Sequence, residues 1–415
     1  MSTPTRTGGR DATQAVIPGR IALSVGRPLI PEPEGFVWTN LTDVAQLESG
    51  HTPSRSHPEY WDGDIPWIGI RDATANHGRR ISSTRETISQ AGLDNSSARL
   101  LPAGTVCLSR TASVGFVVET TRPMATSQDF VNWVCGPQVS SAYLRYVLML
   151  EQDSIRRFAH GTTHQTMYYP EAKALHALLP CRRTQKAITE ILGCLDDKIV
   201  ANSIVAEKAD ALAAAAYASA ATETATLSSL ARFVNGKAFT KGASGKGRVV
   251  IRIAELNSGL GESTVYNDIE VTDDHVARPG DLLFAWSGSL TAARWFRAEA
   301  IINQHIFKVV ADRGWPLWLV NQAVRSKLAE FKAIAADKAT TMGHIQRRHL
   351  DQPVAIPSPE VVERIDGMMT GLWDAALAAE LERERLAVTR DELLPLLMSG
   401  KVRVRDAQRR VGDTL

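Results

Sequence analysis

The feature that most constrains this chain is that it repeats itself at long range. The stretch Leu41-Thr-Asp-Val-Ala-Gln-Leu-Glu-Ser-Gly50 has a counterpart in Leu227-Ser-Ser-Leu-Ala-Arg-Phe-Val-Asn-Gly236, with Leu, Ala and Gly matched 186 positions apart. Pro102-Ala-Gly104 and the following Ser109-Arg-Thr-Ala-Ser113 are answered by Arg278-Pro-Gly280 and Leu282-Leu-Phe-Ala-Trp-Ser287-Gly-Ser289, 176 positions on. Ser127-Gln128-Asp129 matches Asn303-Gln304-His305 at the same distance, and residues 161–180 match 338–357 at 177. Four blocks in one order at near-constant spacing mean two diverged copies of one unit, so the fold must be built twice.

Each copy reads as mixed α/β. Ile65-Pro-Trp-Ile-Gly-Ile70, Thr105-Val-Cys-Leu108 and Val114-Gly-Phe-Val-Val118 are short strand-like runs bounded by Gly, Pro, Asn or Asp. Arg248-Val-Val-Ile-Arg-Ile253 and Asp281-Leu-Leu-Phe-Ala-Trp286 repeat the pattern, and a helix around 142–158 has its counterpart around 316–335. After each copy the period changes. Ile188, Leu192, Leu195, Ile199, Asn202, Ala206, Ala209, Ala213 and Ala216 step by alternating four and three. That is a heptad seam in an Ala-rich helix of about 40 residues, roughly 60 Å long. Its counterpart is Ile365, Met369, Leu372, Ala376, Ala379, Arg383, Leu386, Arg390 and Leu393, interrupted by the two arginines. Small residues on one helix facing larger ones on the other suit a close antiparallel pair.

The expected fold is therefore α/β (α+β): two similar globular domains separated by two long antiparallel coiled-coil helices, with pseudo-twofold symmetry. The expected divisions are 38–180, the helix 181–222, 223–357, the helix 358–405 and a tail 406–415. Residues 1–37 carry Pro4, Pro18, Pro28, Pro31 and Pro33 among five glycines, and predict a disordered extension. Its Arg6, Arg10, Arg20 and Arg27 would also suit an arm trailing along phosphates.

With 47 Lys+Arg against 45 Asp+Glu, the net charge of +2 excludes a globally polybasic coat but not local basic faces. No apolar run approaches the ~20 residues of a membrane span, and no signal-like leader precedes the first copy, so a cytoplasmic protein without membrane contact is expected. Cys107, Cys135, Cys181 and Cys194 form no CxxC pair, which argues for buried thiols over a zinc ribbon or a disulfide framework.

The order domain, long helix, domain, long helix resembles the specificity subunit of type I restriction–modification systems. Residues 41–54, 65–72, 101–115, 127–128 and 180–216 carry the likeness, with the string Leu393-Leu-Pro-Leu-Leu-Met-Ser-Gly-Lys-Val-Arg-Val404. It covers about residues 38–405. The resemblance implies that each globular copy is a target-recognition domain reading one half of a split double-stranded DNA site. It implies helices that set the spacing and dock modification (methyltransferase) subunits, two of them, and restriction subunits with an ATP-dependent translocase–nuclease activity. S-adenosylmethionine belongs to the methyltransferase partner, and this chain has no cofactor of its own. Low identity between the copies implies two different half-sites.

DNA reading needs donors for phosphates and a few side chains for base edges. Candidates in the first copy are Arg71, Arg79, Arg80 and Arg110 on loops after strand-like runs, with Thr163, His164, Gln165 and Tyr168 on another loop. In the second copy Arg252, Ser287, Arg294 and Lys338 occupy related places, followed by His344, Gln346, Arg347 and Arg348. Trp286 reads as core. Catalysis finds no support. There is no Pro-Pro for an Asn/Asp-Pro-Pro-aromatic methyltransferase motif, and Gly242-Ala-Ser-Gly-Lys-Gly247 lacks the spacing of a phosphate loop. Asp312 with Glu330-Phe-Lys332 only mimics a nuclease pattern, and His160 with His164 lacks a third metal ligand. The competing readings are a stand-alone nuclease with duplicated domains and an orphan defence scaffold that binds protein.

Overall fold

The computed structural model describes residues 11–161, 165–336 and 343–412. It divides into two units, Met1–Asp196 with Val388–Leu415, and Asp197–Ala387.

In the first unit the short helix Leu41–Val44 turns strand Phe36–Asn40 into strand Ala45–Ser49. Asn40 caps it, its side-chain oxygen accepting from the Thr42 N–H at 2.9 Å. Ala45–Ser49 then opens a five-stranded sheet in the order Ala45–Ser49, Phe130–Cys135, Val106–Ser109, Val117–Thr120, Arg79–Ile81. Strand Trp61–Ile68 pairs in parallel with Ala125–Thr126 in a smaller sheet. Helix Ser141–Leu150 lies on the strands of the larger sheet and buries Tyr143, Leu144, Tyr146 and Val147 completely.

The second unit repeats this plan. Helix Leu227–Leu230, capped by Thr226, turns Glu223–Thr226 into Ala231–Asn235. Its sheet runs Ala231–Asn235, Ile306–Ala311, Leu282–Ala285, Thr291–Arg294. Arg248–Ile251 pairs in parallel with Ala300–Ile302, and Pro353–Ile356 pairs with Glu223–Thr226 as Leu175–Pro180 does with Phe36–Asn40. The matched glycines have one cause. A Cβ on Gly50 would sit 2.0 Å from the Ser127 carbonyl oxygen, and one on Gly236 2.2 Å from that of Asn303. Only glycine lets the strand approach the matched loop so closely.

Two expectations fail at the chain's ends. Residues 11–37 do not form a disordered extension. Strands Ile17–Pro18 and Leu23–Val25 lengthen a sheet ordered Ile17–Pro18, Leu23–Val25, Leu175–Pro180, Phe36–Asn40. Proline and glycine forbid long elements but leave room for strands of two and three residues, and Ala22, Leu23 and Val25 are buried. A carboxylate supplies the anchor. Glu151, fully buried, accepts from the backbone N–H groups of Arg20, Ile21 and Ala22 at 2.8, 2.6 and 2.6 Å. Glu151 also breaks the expected helix into Ser141–Leu150 and Gln152–Phe158, whereas Leu317–Ala336 is continuous. At the other end, 406–412 belongs to a helix, Val404–Gly412, which buries Ala407 and Val411.

The long helices are Arg182–Ala220 and Pro359–Met398. Within the first unit Ile188, Leu192, Leu195, Leu393, Leu397 and Met398 are buried, and Arg390 pairs with Asp196 at 3.0 Å. Within the second unit Ala206 and Ala209 pack on Ala376 and Ala379, and Asn202 donates to Glu382 at 2.8 Å, so these segments run antiparallel. Small residues face small ones here, with Leu372 packed against them, while Ala213 and Ala216 cluster with the larger Ile365, Met369 and Leu372, as the seam suggested. Arg383 leaves the seam with its guanidinium 5.0 Å from the Phe296 ring centroid.

Candidate nucleic-acid interface

Each domain gathers three loops at one end of its main sheet. In the first domain the loop after strand Val106–Ser109 begins with Arg110 and Thr111. The Arg110 N–H donates to the Asp129 carbonyl at 2.8 Å, and its own carbonyl accepts from Met167 N–H at 2.8 Å. These bonds join the loops 110–116, 127–129 and 165–169. In the second domain Trp286 N–H donates to the His305 carbonyl at 3.2 Å, and Ile345 N–H to the Trp286 carbonyl at 3.0 Å. Backbone pairing thus makes Arg110 the counterpart of Trp286, Asp129 of His305, and Tyr169 of Arg347.

The same scaffold carries different chemistry. Arg110 places its guanidinium 5.1 Å from the Tyr169 ring and donates through Nε to the Gln128 carbonyl at 3.2 Å. Thr52 Oγ1 donates to Gln128 Oε1. At the matched place Trp286 packs on Phe307, His305 and His344 with ring separations of 5.8, 5.5 and 6.3 Å. Its indole N–H donates to Asn235 Oδ1 at 2.9 Å. Trp286 is half-buried at this loop rather than enclosed in the core. Both domains present an arginine and an aromatic at this end, on exchanged elements. Arg347 and Arg348 open a 3-10 helix, Arg347–Asp351, and line a pocket of about 400 Å³ with Ser228, Arg232, Asp312 and Asp351.

Other arginines of the first domain lie about its smaller sheet and at the edge of its main sheet. Arg55 covers the Trp61 ring at 3.5 Å and pairs with Glu86 at 2.6 Å. The hydrogen bond from Arg55, aided by the charges of Arg55, Arg71 and Arg85, holds the Glu86 carboxyl below its usual range, against partial burial. Arg71 is exposed on helix Ile70–Ala75, and Arg79 and Arg80 are exposed on the edge strand Arg79–Ile81.

The sequence candidates divide accordingly. Arg110, Gln165 and Tyr168 belong to the first cluster, and Ser287, His344, Gln346, Arg347 and Arg348 to the second. Thr163, His164 and Lys338 lie outside the described residues. Two candidates are structural. Arg252 is spent on buried Glu255, at 2.6 and 3.0 Å, and on the Ser263 carbonyl. Arg294 is 3% exposed, pairs with Glu380 at 2.8 Å and Asp210 at 3.2 Å, and lies 4.4 Å from the Trp373 ring. It braces the sheet against the long helices of its own unit and faces no groove. Sequence reasoning missed Thr52, Gln128, Asp129, Tyr169, Asn235, Asn303, Gln304 and His305. The matched blocks Ser127-Gln-Asp and Asn303-Gln-His were the available signal.

Among the described residues no three His, Cys, Asp or Glu side chains gather as a metal site, and no helix is long and apolar enough to cross a membrane. Cys107 is buried and Cys135 half-buried, but Cys181 and Cys194 are exposed, against expectation.

Residues 33–206 match the family model of the type I restriction modification DNA specificity domain. The chain is 29% identical over 169 residues to the type I restriction enzyme MjaIX specificity subunit of Methanocaldococcus jannaschii, a match covering 40% of this chain and 39% of that one. It is 26% identical over 177 residues to the type I restriction enzyme HindI specificity subunit of Haemophilus influenzae, covering 41% and 38%. These matches span about two fifths of the curated relatives' length. The crystal structure of a type I restriction–modification S subunit from M. genitalium shares the fold over 87% of this chain and 96% of that one, at a TM-score of 0.57 and 14% identity.

Proposed function

We infer, from a chain whose residues 33–206 belong to the type I restriction modification DNA specificity domain family, that the whole protein is a non-catalytic specificity subunit of a type I restriction–modification complex. Each globular domain reads one half of a bipartite site in double-stranded DNA. One observation carries this reading: a single loop scaffold is built twice and furnished with different side chains at matched positions. Arg110 faces Trp286 in that correspondence, and Asp129 faces His305. A duplicated enzyme would need the same catalytic set in at least one copy, whereas two readers of different sequences need divergent loops on a constant frame.

The helix pair docks methyltransferase subunits and sets the gap between half-sites. Val200, Ile204, Val205 and Leu212 support this, because they are apolar and about half exposed along one helix. S-adenosylmethionine is held by the methyltransferase partners, and restriction subunits join the same assembly in the cytoplasm. The test is an exchange. Replacing residues 38–180 by the same domain of a relative, in a host supplying the partners, changes one half of the methylated sequence and leaves the other. A change in both halves, or plasmid cleavage by the purified chain with Mg²⁺ alone, overturns the reading.

A further inference from the structure

Three buried side-chain atoms in the second domain's loop cluster have no hydrogen-bond partner: Ser287 Oγ, Asn303 Oδ1 and His305 Nδ1. Ser287 is 3% exposed and Asn303 7%. The matched positions in the first domain are Thr111, Ser127 and Asp129. There the side chains satisfy one another: Thr111 Oγ1 donates to one Asp129 oxygen at 3.0 Å and Ser127 Oγ to the other at 3.2 Å. Replacing aspartate by histidine dissolves that network and leaves three unmet groups.

Each unmet buried polar group costs about 1–3 kcal/mol, so such groups persist in folded proteins as exceptions with a cause. The Gln304 side-chain amide donates to His305 Nε2 at 3.1 Å, which leaves the neutral imidazole proton on Nδ1. The centre therefore offers one donor (Nδ1–H), one acceptor (Asn303 Oδ1) and one hydroxyl that serves as either. An isolated backbone bridge joins Ser287 to His344 beside it.

We propose that Ser287, Asn303 and His305 are the specificity-determining centre of the second domain, opened at the Ser287–His344 bridge and completed by a base edge when DNA binds. This rests on the DNA-specificity reading above. The donor–acceptor pair selects the base. Adenine presents an N7 acceptor and an N6 donor side by side in the major groove, matching His305 Nδ1–H and Asn303 Oδ1. Guanine presents two acceptors and would leave Asn303 unmet. The first domain, its centre closed on Asp129, reads with other groups.

Changing Asn303→Ser together with His305→Asp rebuilds the first domain's closed network in the second. In a host supplying the partners, methylation mapping shows the first half-site intact and the second half-site without its requirement for one adenine. An unchanged second half-site overturns the proposal. Ser287→Ala is the milder variant. It does not lower the thermal midpoint of the free protein and should raise it, because an unmet buried hydroxyl is removed, yet it weakens binding of the assembled complex to its cognate duplex about fivefold. Equal loss on a duplex with the second half-site scrambled also overturns it. Absence of any bipartite methylation with the unmodified chain sinks the DNA-specificity reading instead.

Discussion

Beneath its loop cluster the first domain holds an aspartate that accepts from two neighbouring hydroxyls, and beside Gln152–Phe158 it holds a glutamate that accepts from three amides of the N-terminal arm. The second domain has a histidine at the first place, a continuous helix at the second and, among the described residues, no arm on its strand Pro353–Ile356. Both domains bury a charge at the matched place of the main sheet, with opposite sign: Arg294, opposite Leu282, pairs with Glu380 and Asp210, where Glu119, opposite Val106, pairs with Arg145 at 3.0 Å. One architecture thus tolerates two internal economies. The charges that brace each domain differ, while the backbone pairings that shape the loops are kept.

The contrast can be broken most forcefully at Arg294. Arg294→Ala leaves Glu380 without its cation, while Asp210 keeps Arg325 at 3.1 Å, and should cost the second unit about 3 kcal/mol. Amide hydrogen exchange should rise across 282–311 and stay constant in the first domain. Next comes Glu151→Ala, which strands three backbone donors and should cost the first unit about 3 kcal/mol. Peptides covering 17–25 and 175–180 should exchange faster, with no effect at 353–356.

Acid sharpens the comparison at an intermediate scale. His77 accepts the Val117 N–H through Nδ1 at 3.1 Å. Burial, reinforced by the charges of Arg156 and Arg390, lowers its pKa to about 4. The unfolded chain binds this proton from about pH 6.5 downward, the folded chain only near pH 4. The stabilisation is therefore complete above pH 6.5 and is lost as the pH falls toward 4, by up to about 2–3 kcal/mol. Urea midpoints of the first unit should follow that slope, and His77→Gln should flatten it. The smallest effect lies at the turn after Arg110. Ala112 has φ +59° where its counterpart is Gly288 at +61°. Ala112→Gly should stabilise the first domain by about 1 kcal/mol, read as a higher melting midpoint.

Duplication was legible because Leu41, Ala45 and Gly50 keep their places in the second copy, and the long helices because apolar residues recur by four and three. The arm was not. Leu23 finds its partner at Ala177 and Ile21 its acceptor at Glu151, and no local pattern announces pairings across that separation. Arg252 and Arg294 misled for a related reason: a sequence displays a charge but not the carboxylate that neutralises it. The loop centres escaped because Ser127, Asn303 and Gln128 carry no charge and form no periodic pattern.

The first unit takes its last pieces from residues 388–412, whereas the second is drawn entirely from residues 197–387. A ribosome therefore releases everything the second unit needs while the first still lacks Leu393, Leu397 and Met398. At about 5–20 residues per second, the stretch between Asp196 and Val388 keeps the first unit waiting for roughly 10–40 seconds. During that interval Ile188, Leu192 and Leu195 have no helix to cover them. The domain translated first is the one completed last, and a truncation before residue 388 would expose chaperone-binding surface in the N-terminal half while sparing the half nearer the cut.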